Sequence, residues 1–268
     1  MKTKANGIEL AYQVQGEGHP LVLIAGVGYG MWYWHKVLPA LSERYQVITF
    51  DNRGAGESDK PDGPYTVPML AADTVGLLDN LGVSGAYILG HSLGGFIAQE
   101  LAVTRPDLVG KMILASTNPG GPHVIPITPE AMQVLLDRSG DPVELIRRGV
   151  GIACAPGFAD RKPDVVDELI DYRLTNPVPG PNYQAQVMAG AGMSMLSEDQ
   201  VLERMHSIQV PVLILFGEHD RVVPPGNAEM MASKLPNAKV QILPGCGHMF
   251  PIEDPQAAVQ VITHFLDD

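Results

Sequence analysis

Polar and apolar residues alternate over residues 8–15, Ile-Glu-Leu-Ala-Tyr-Gln-Val-Gln, and Gly16 ends the run. That period of two predicts a half-buried strand, placed here as an antiparallel edge strand. After Pro20 the pattern changes. Leu21-Val22-Leu23-Ile24-Ala25 is apolar without a break, as expected of a strand covered on both faces. It gives way to Gly26-Val27-Gly28-Tyr29-Gly30, and a helix is predicted over about 34–44. Gln46–Phe50 reads as another buried strand, closed by Asp51-Asn52-Arg53-Gly54-Ala55-Gly56-Glu57-Ser58. Small and apolar residues at helical spacing predict a helix over 66–81. A short apolar run from Ala86 leads into a helical pattern that Pro106 stops after Arg105, and Lys111–Ala115 is a further short strand.

Between about Asn118 and His206 the chain is rich in proline and glycine. It carries helical stretches such as 163–174 and no convincing buried strand. Alternation then resumes: a strand over 212–216, a helix over 227–235, a strand over 239–243, and a last helix from Asp254-Pro255 to about Leu266. Strands alternating with helices predict an α/β fold with a doubly wound, mostly parallel sheet. The middle block fits a helical insertion lying over the strand ends, where ligands bind in such sheets.

The junction of the run from Ala86 with the helix after it reads Gly90-His91-Ser92-Leu93-Gly94. A strand-to-helix turn this sharp forces its central residue into a strained conformation and lifts the Ser92 hydroxyl out of the sheet, so Ser92 is the candidate nucleophile. A serine hydroxyl needs a base, and the base needs an orienting acid. Two loops at later strand ends supply them. Gly217-Glu218-His219-Asp220 offers Asp220 as the acid, with Glu218 as competitor, and Gly245-Cys246-Gly247-His248 offers His248 as the base. Backbone N–H groups of Leu93, at the helix start, and of Val27, in the Gly-rich loop after 21–25, are the expected oxyanion donors. That loop lacks the Lys-Ser/Thr ending of a phosphate loop and the spacing of a dinucleotide site.

Composition narrows the partners. The chain of 268 residues carries a net charge of −12, a pI near 5.0 and no Lys/Arg run, which argues against nucleic acid and anionic membranes. The histidines show no metal-ligand spacing, so neither metal nor cofactor is expected. Cys154 and Cys246 are expected to be free thiols in a reducing compartment. The first ten residues lack the apolar segment of a secretion signal, and no run is long enough to span a membrane. A cytoplasmic monomer or homodimer acting on a small molecule is the expectation.

Taken together, Ala25-Gly26-Val27-Gly28, Asp51-x-Arg53-Gly54-x-Gly56-x-Ser58, Gly90-x-Ser92-x-Gly94-Gly95, Gly217-x-x-Asp220 and Gly247-His248 resemble the α/β-hydrolase superfamily over nearly the whole chain. The usual His-Gly of the oxyanion loop stands here as Ala25-Gly26. A serine at the elbow separates this chain from members with an elbow aspartate. The resemblance implies a core of about eight strands formed by residues 1–117 and 207–268, with residues 118–206 as a helical cap. It further implies hydrolysis of a small, mainly apolar carboxylic ester through Ser92, His248 and Asp220. Lactones, enol-lactones, carbon–carbon bonds and peroxide chemistry are alternatives on the same triad, and a ligand receptor without turnover is the alternative from another class. Trp32, Met188, Met193, Met249 and Phe250, with Met31, Met195 and Leu196, are the expected pocket residues. No arginine or lysine is evidently placed to grip a substrate carboxylate, although Arg53, Arg147, Arg148 and Arg173 stay open.

Overall fold

A computed structural model describes all residues, 1–268. Eight strands form one sheet: β1 (Lys2–Ala5), β2 (Ile8–Gln15), β3 (His19–Ile24), β4 (Tyr45–Phe50), β5 (Ala86–His91), β6 (Val109–Ala115), β7 (Val212–Gly217) and β8 (Ala238–Leu243). Their order across the sheet is β1-β2-β4-β3-β5-β6-β7-β8. β2 pairs antiparallel with β4, and β3 through β8 run parallel. The strand over 8–15 is not the edge, because Lys2–Ala5 folds back antiparallel outside it. Lys2, Thr3 and Lys4 give that short strand too little apolar pattern to read from sequence.

The unbroken apolar runs are explained by two cores. Val22, Ile24, Ile88, Leu114, Ile214 and Phe216 point into one, packed under the helices Val67–Leu81 and Leu93–Thr104. Leu21, Leu23, Leu89, Ile113, Leu213 and Leu215 point into the other, against the helix Pro255–Asp267. Successive residues of these runs thus enter opposite cores, which is why they are apolar without alternation. The helix Val67–Leu81 starts at Thr66, whose side chain accepts from the Met69 N–H, and ends at Gly82 with φ of 64°. The single helix expected over 34–44 is instead a 3₁₀ turn, Met31–Trp34, and a short helix, Leu38–Ser42. Pro39 interrupts the run, since a ring at that position is tolerated only in a first helical turn.

Between β6 and β7 lie six α-helices: Pro129–Leu136, Pro142–Ala153, Phe158–Arg161, Pro163–Thr175, Gly180–Gly192 and Glu198–Ser207. Proline opens three of them at the first position, which accounts for much of the proline in this block. The sheet order reverses at β3, which lies between β4 and β5. The loops leaving β3 and β5 therefore meet where a parallel sheet offers its crevice.

Candidate active site

Ser92 sits where β5 turns into the helix Leu93–Thr104, with φ of 56° and ψ of −117°. A non-glycine residue there is strained and persists because its surroundings over-determine it. The flanking glycines show how tightly. A Cβ at Gly90 would stand 2.2 Å from the Gly94 carbonyl oxygen, and one at Gly94 would stand 2.0 Å from that of Ile24. Those are backbone contacts, so no side-chain rearrangement relieves them. Gly26 faces the turn from the other side, its added Cβ lying 3.0 Å from the Ser92 Cβ.

His248 comes from the loop after β8. Its Nδ1 is 2.8 Å from Asp220 Oδ2, and the aspartate is 3% exposed. An ionised carboxylate has only acceptors, so His248 Nδ1 carries the proton and donates it. The other oxygen, Oδ1, accepts from the Val222 and Val223 N–H groups at 2.9 and 2.8 Å. Glu218, the competing acid, is exposed and accepts from the Gly245 N–H instead. The local geometry thus pairs His248 with Asp220.

The backbone of His248 is held as firmly as its ring. Its N–H donates to the Ala153 carbonyl at 2.6 Å. Its carbonyl accepts from His91 Nε2 at 2.8 Å. A carbonyl can only accept, so His91 Nε2 bears the hydrogen and Nδ1 is bare, buried and unpartnered. Burial, and then the nearby His248, hold the His91 imidazole well below the usual histidine range. It is a neutral prop under His248.

Glu253 braces the same loop. Its Oε1 accepts from the Gly247 N–H at 2.9 Å and Oε2 from the Ala155 N–H at 2.7 Å, tying the histidine loop to the helical block. Burial nevertheless pushes its carboxyl up to about 7. A carboxyl raised in the native state favours the protonated form, so its stabilising effect is complete below pH 4.5 and lost as pH rises through about 7. The stability of the wild type minus that of Glu253→Gln should therefore fall by on the order of 3 kcal/mol between pH 4 and pH 8. Urea unfolding across that range measures it, and a flat difference would contradict the assigned burial.

The loop after β3 approaches Ser92 from the opposite side. Asn52 Nδ2 donates to the Ala25 carbonyl at 3.1 Å, and the Gly28 N–H donates to Gln186 Oε1 at 2.8 Å. Gln186 is fully buried and donates in turn to the Arg53 carbonyl at 3.0 Å. The Val27 N–H, between these tethers, has no acceptor in the protein. Leu93 is the first residue of its helix, where an N–H has no intrahelical acceptor. The Asp51-to-Ser58 motif serves this scaffold: Asp51 accepts from the Met31 and Glu57 N–H groups, and Arg53 pairs with buried Asp73.

Ser92, His248, Val27 and Gly26 border a cavity of about 150 Å³, and 15 of its 22 lining residues are hydrophobic. No hydrogen bond joins Ser92 to His248 across it. Such contacts are often loose in unliganded enzymes and tighten with substrate. The roof is the helical block, with Leu145, Ile146, Gly149, Val150 and Ala153 of Pro142–Ala153 turned inward.

Of the expected pocket residues, Trp32 and Met249 line the cavity. The other six, Met31 and Leu196 among them, do not. Met188 lies on the outer face of Gly180–Gly192 and is 64% exposed, because Tyr183 and Gln186 occupy the inner face. Met193 is buried in the main core, and Met195 is 84% exposed. Phe250 is packed behind the site, its ring 6.1 Å from that of His91. Sequence reasoning missed Tyr29, Tyr183, Arg138 and the roof helix as cavity residues. The roof was detectable, since 145, 146, 149, 150 and 153 follow the spacing of one helix face.

The remaining reactive groups lie outside this arrangement. Cys154 and Cys246 are buried free thiols; burial drives Cys154 well above the usual thiol range and Cys246 up to about 12, so both stay protonated. No group of three or more His, Cys, Asp or Glu side chains is placed to hold a metal ion. No helix is long and apolar enough to cross a membrane.

Comparison with known proteins agrees with this fold. Among solved structures, a thermophilic esterase from Thermogutta terrifontis superposes with a TM-score of 0.82 at 26% identity, covering 100% of this chain and 98% of the other. The enol-lactonase from Burkholderia xenovorans LB400 superposes with a TM-score of 0.83 at 26% identity, covering both chains completely. The poly(3-hydroxyalkanoate) depolymerase of Ectopseudomonas oleovorans is 30% identical over 249 residues, 92% of this chain and 84% of its own. The sequence model of the alpha/beta hydrolase family matches residues 21–261. The chain belongs to that family of hydrolytic enzymes.

Proposed function

We propose that the protein hydrolyses a small, mainly apolar carboxylic ester through a Ser92–His248–Asp220 triad. One observation carries the reading: His248, hydrogen-bonded to the buried Asp220, and a strained, half-buried Ser92 border the same largely apolar cavity. Ser92 Oγ attacks the ester carbonyl while His248 Nε2 takes its proton. Asp220 keeps the histidine in the tautomer with Nδ1 protonated and balances the imidazolium that forms. The free Val27 and Leu93 N–H groups receive the developing oxyanion, with the helix start adding partial positive charge. Collapse of the tetrahedral intermediate breaks the bond to the alcohol, which leaves with the proton from His248. Water then attacks the acyl-serine, again giving its proton to His248, and the acid departs.

A lactone is a cyclic ester and passes through the same steps, and the likeness to the enol-lactonase favours including lactones. Cleavage of carbon–carbon bonds and peroxide chemistry stay alternatives on the same triad, beside likenesses to a meta-cleavage product hydrolase and to a putative non-heme bromoperoxidase.

A series of p-nitrophenyl esters from acetate to decanoate tests the reading. A cavity near 150 Å³ accepts a benzene-sized group, so kcat/KM should peak among the short acyl chains and fall at least tenfold by decanoate. A serine-directed phosphonate should label Ser92 alone. Absence of turnover across the series, or labelling elsewhere, removes the proposed mechanism.

A further inference from the structure

The cavity has a charge that its composition does not advertise. Among its lining residues are Arg173, from the helix Pro163–Thr175, and Arg138, just beyond Pro129–Leu136, and none is aspartate or glutamate. This holds in a chain whose formal charge is −12. The acid nearest the chemistry, Asp220, stands behind His248 with its oxygens engaged by His248, Val222 and Val223. Neither arginine has a carboxylate oxygen within 4.0 Å, whereas Arg53, Arg105, Arg147, Arg148 and Arg204 are all paired.

Arg173 is half-buried and held in place. One N–H of its Nη1 donates to the Gly28 carbonyl at 3.1 Å, and its guanidinium carbon lies 4.8 Å from the centroid of the Tyr29 ring. That single hydrogen bond leaves most of its donors without a protein acceptor. None of those nitrogens is sealed into the interior, so they remain available to a ligand. Arg138 lies at the rim, with its guanidinium carbon 4.3 Å from the centroid of the Tyr183 ring. Two aromatic faces thus orient two cations on one wall of the cavity that holds Ser92. A planar guanidinium with free donors matches a carboxylate bidentately. A partly desolvated cation without a counterion is also costly, and an anionic ligand relieves that cost.

From this arrangement we infer that Arg173, assisted by Arg138, binds a free carboxylate of the substrate, so that the preferred esters are small monoanions. The inference rests on the hydrolase reading above and names the substrate class of that same site. The carboxylate belongs either to the acyl part, as in a half-ester of a dicarboxylic acid, or to the alcohol, as in an acylated hydroxy acid.

Monomethyl succinate, glutarate, adipate and pimelate, each beside an uncharged methyl ester of matched length, test the acyl arm in a pH-stat assay. 4-Acetoxybutyrate beside butyl acetate tests the alcohol arm. Wild type should favour the anionic member of at least one pair in kcat/KM by about 10- to 100-fold, the range of a charge-assisted contact. That selectivity ratio should collapse in Arg173→Met, fall less in Arg138→Met, and return in part in Arg173→Lys. A purely structural arginine would lower both members of a pair together and leave the ratio intact, which overturns the inference. So does a wild type without preference.

Binding keeps the two readings separable. Adipate, an unreactive dianion, should raise the Tm of wild type in a concentration-dependent way beyond sodium chloride of equal ionic strength, and should not raise that of Arg173→Met. If adipate binds in this manner and no ester turns over, the hydrolase reading fails while the carboxylate site stands. If neutral esters turn over through Ser92 and adipate has no effect, the carboxylate site fails and the hydrolase reading stands.

Discussion

Ser92→Ala should lower kcat/KM toward the best ester by on the order of 10⁵- to 10⁶-fold and leave Tm within about 2 °C of wild type. The first part follows from the division of labour in the cavity. Without Oγ there is no atom for His248 to activate, and the remaining amides of Val27 and Leu93 can only polarise a carbonyl for attack by water. The second part follows from local structure. The Ser92 side chain makes no hydrogen bond within the protein, and its N–H and carbonyl, bonded to the Ala115 carbonyl and the Gly95 N–H, are untouched by the change. Alanine also meets the same backbone strain as serine at φ of 56°. Steady-state kinetics beside a melting curve decide the matter. Activity within about tenfold of wild type would mean that another group is the nucleophile.

The second large effect is expected at Asp220. Asp220→Asn preserves size and removes the charge, and kcat should fall by about 10⁴-fold at neutral pH. Three N–H donors converge on this carboxylate: His248 Nδ1 on Oδ2, Val222 and Val223 on Oδ1. An asparagine has one carbonyl oxygen and one amide nitrogen. With its oxygen retained by the two valine amides, its NH₂ faces His248 Nδ1 and selects the tautomer protonated at Nε2, which cannot accept the Ser92 proton. Glu218→Gln supplies the comparison, because that exposed side chain bonds to Gly245 outside the site, and it should stay within about twofold of wild type. A loss of less than tenfold in Asp220→Asn, or an equal loss in Glu218→Gln, would remove Asp220 from the orienting role.

Parts of the site were legible for a definite reason. The Gly90–Gly94 turn is a local feature: each glycine answers a clash with backbone a few residues or one strand away, so the requirement is written into five consecutive residues. The loops carrying Asp220 and His248 follow the last two strands of the sheet, and parallel order places both loops at the same end. Choosing Asp220 over Glu218 needed more. Both follow Gly217, and only the turn through Val222 and Val223 sends one carboxylate inward and the other to solvent.

The cavity wall was much less legible. Methionines on the helix Gly180–Gly192 and the turn after it were expected inside, yet Met188 faces solvent and Met193 faces the core. Apolarity says that a residue can be buried, not against what. Arg138 was hidden, and Arg173 was only one of four open candidates, for the opposite reason. A charged side chain is read as exposed until a neighbouring helix is known to enclose it, and Arg173 is enclosed by contacts with Gly28 and Tyr29, some 145 residues earlier in the chain.

By itself, then, the amino-acid sequence determined the alternation of strands and helices, the covering of the sheet on both faces, and the turn that presents Ser92. These rest on residue spacing and on backbone sterics, which act over a few positions. Only the tertiary structure decided which acid meets His248, which faces of the roof helices look into the cavity, and that the wall of an acidic protein's site is cationic. Those outcomes depend on how rigid helices are rotated and docked over the strand ends, and that rotation is set by packing among residues far apart in the chain.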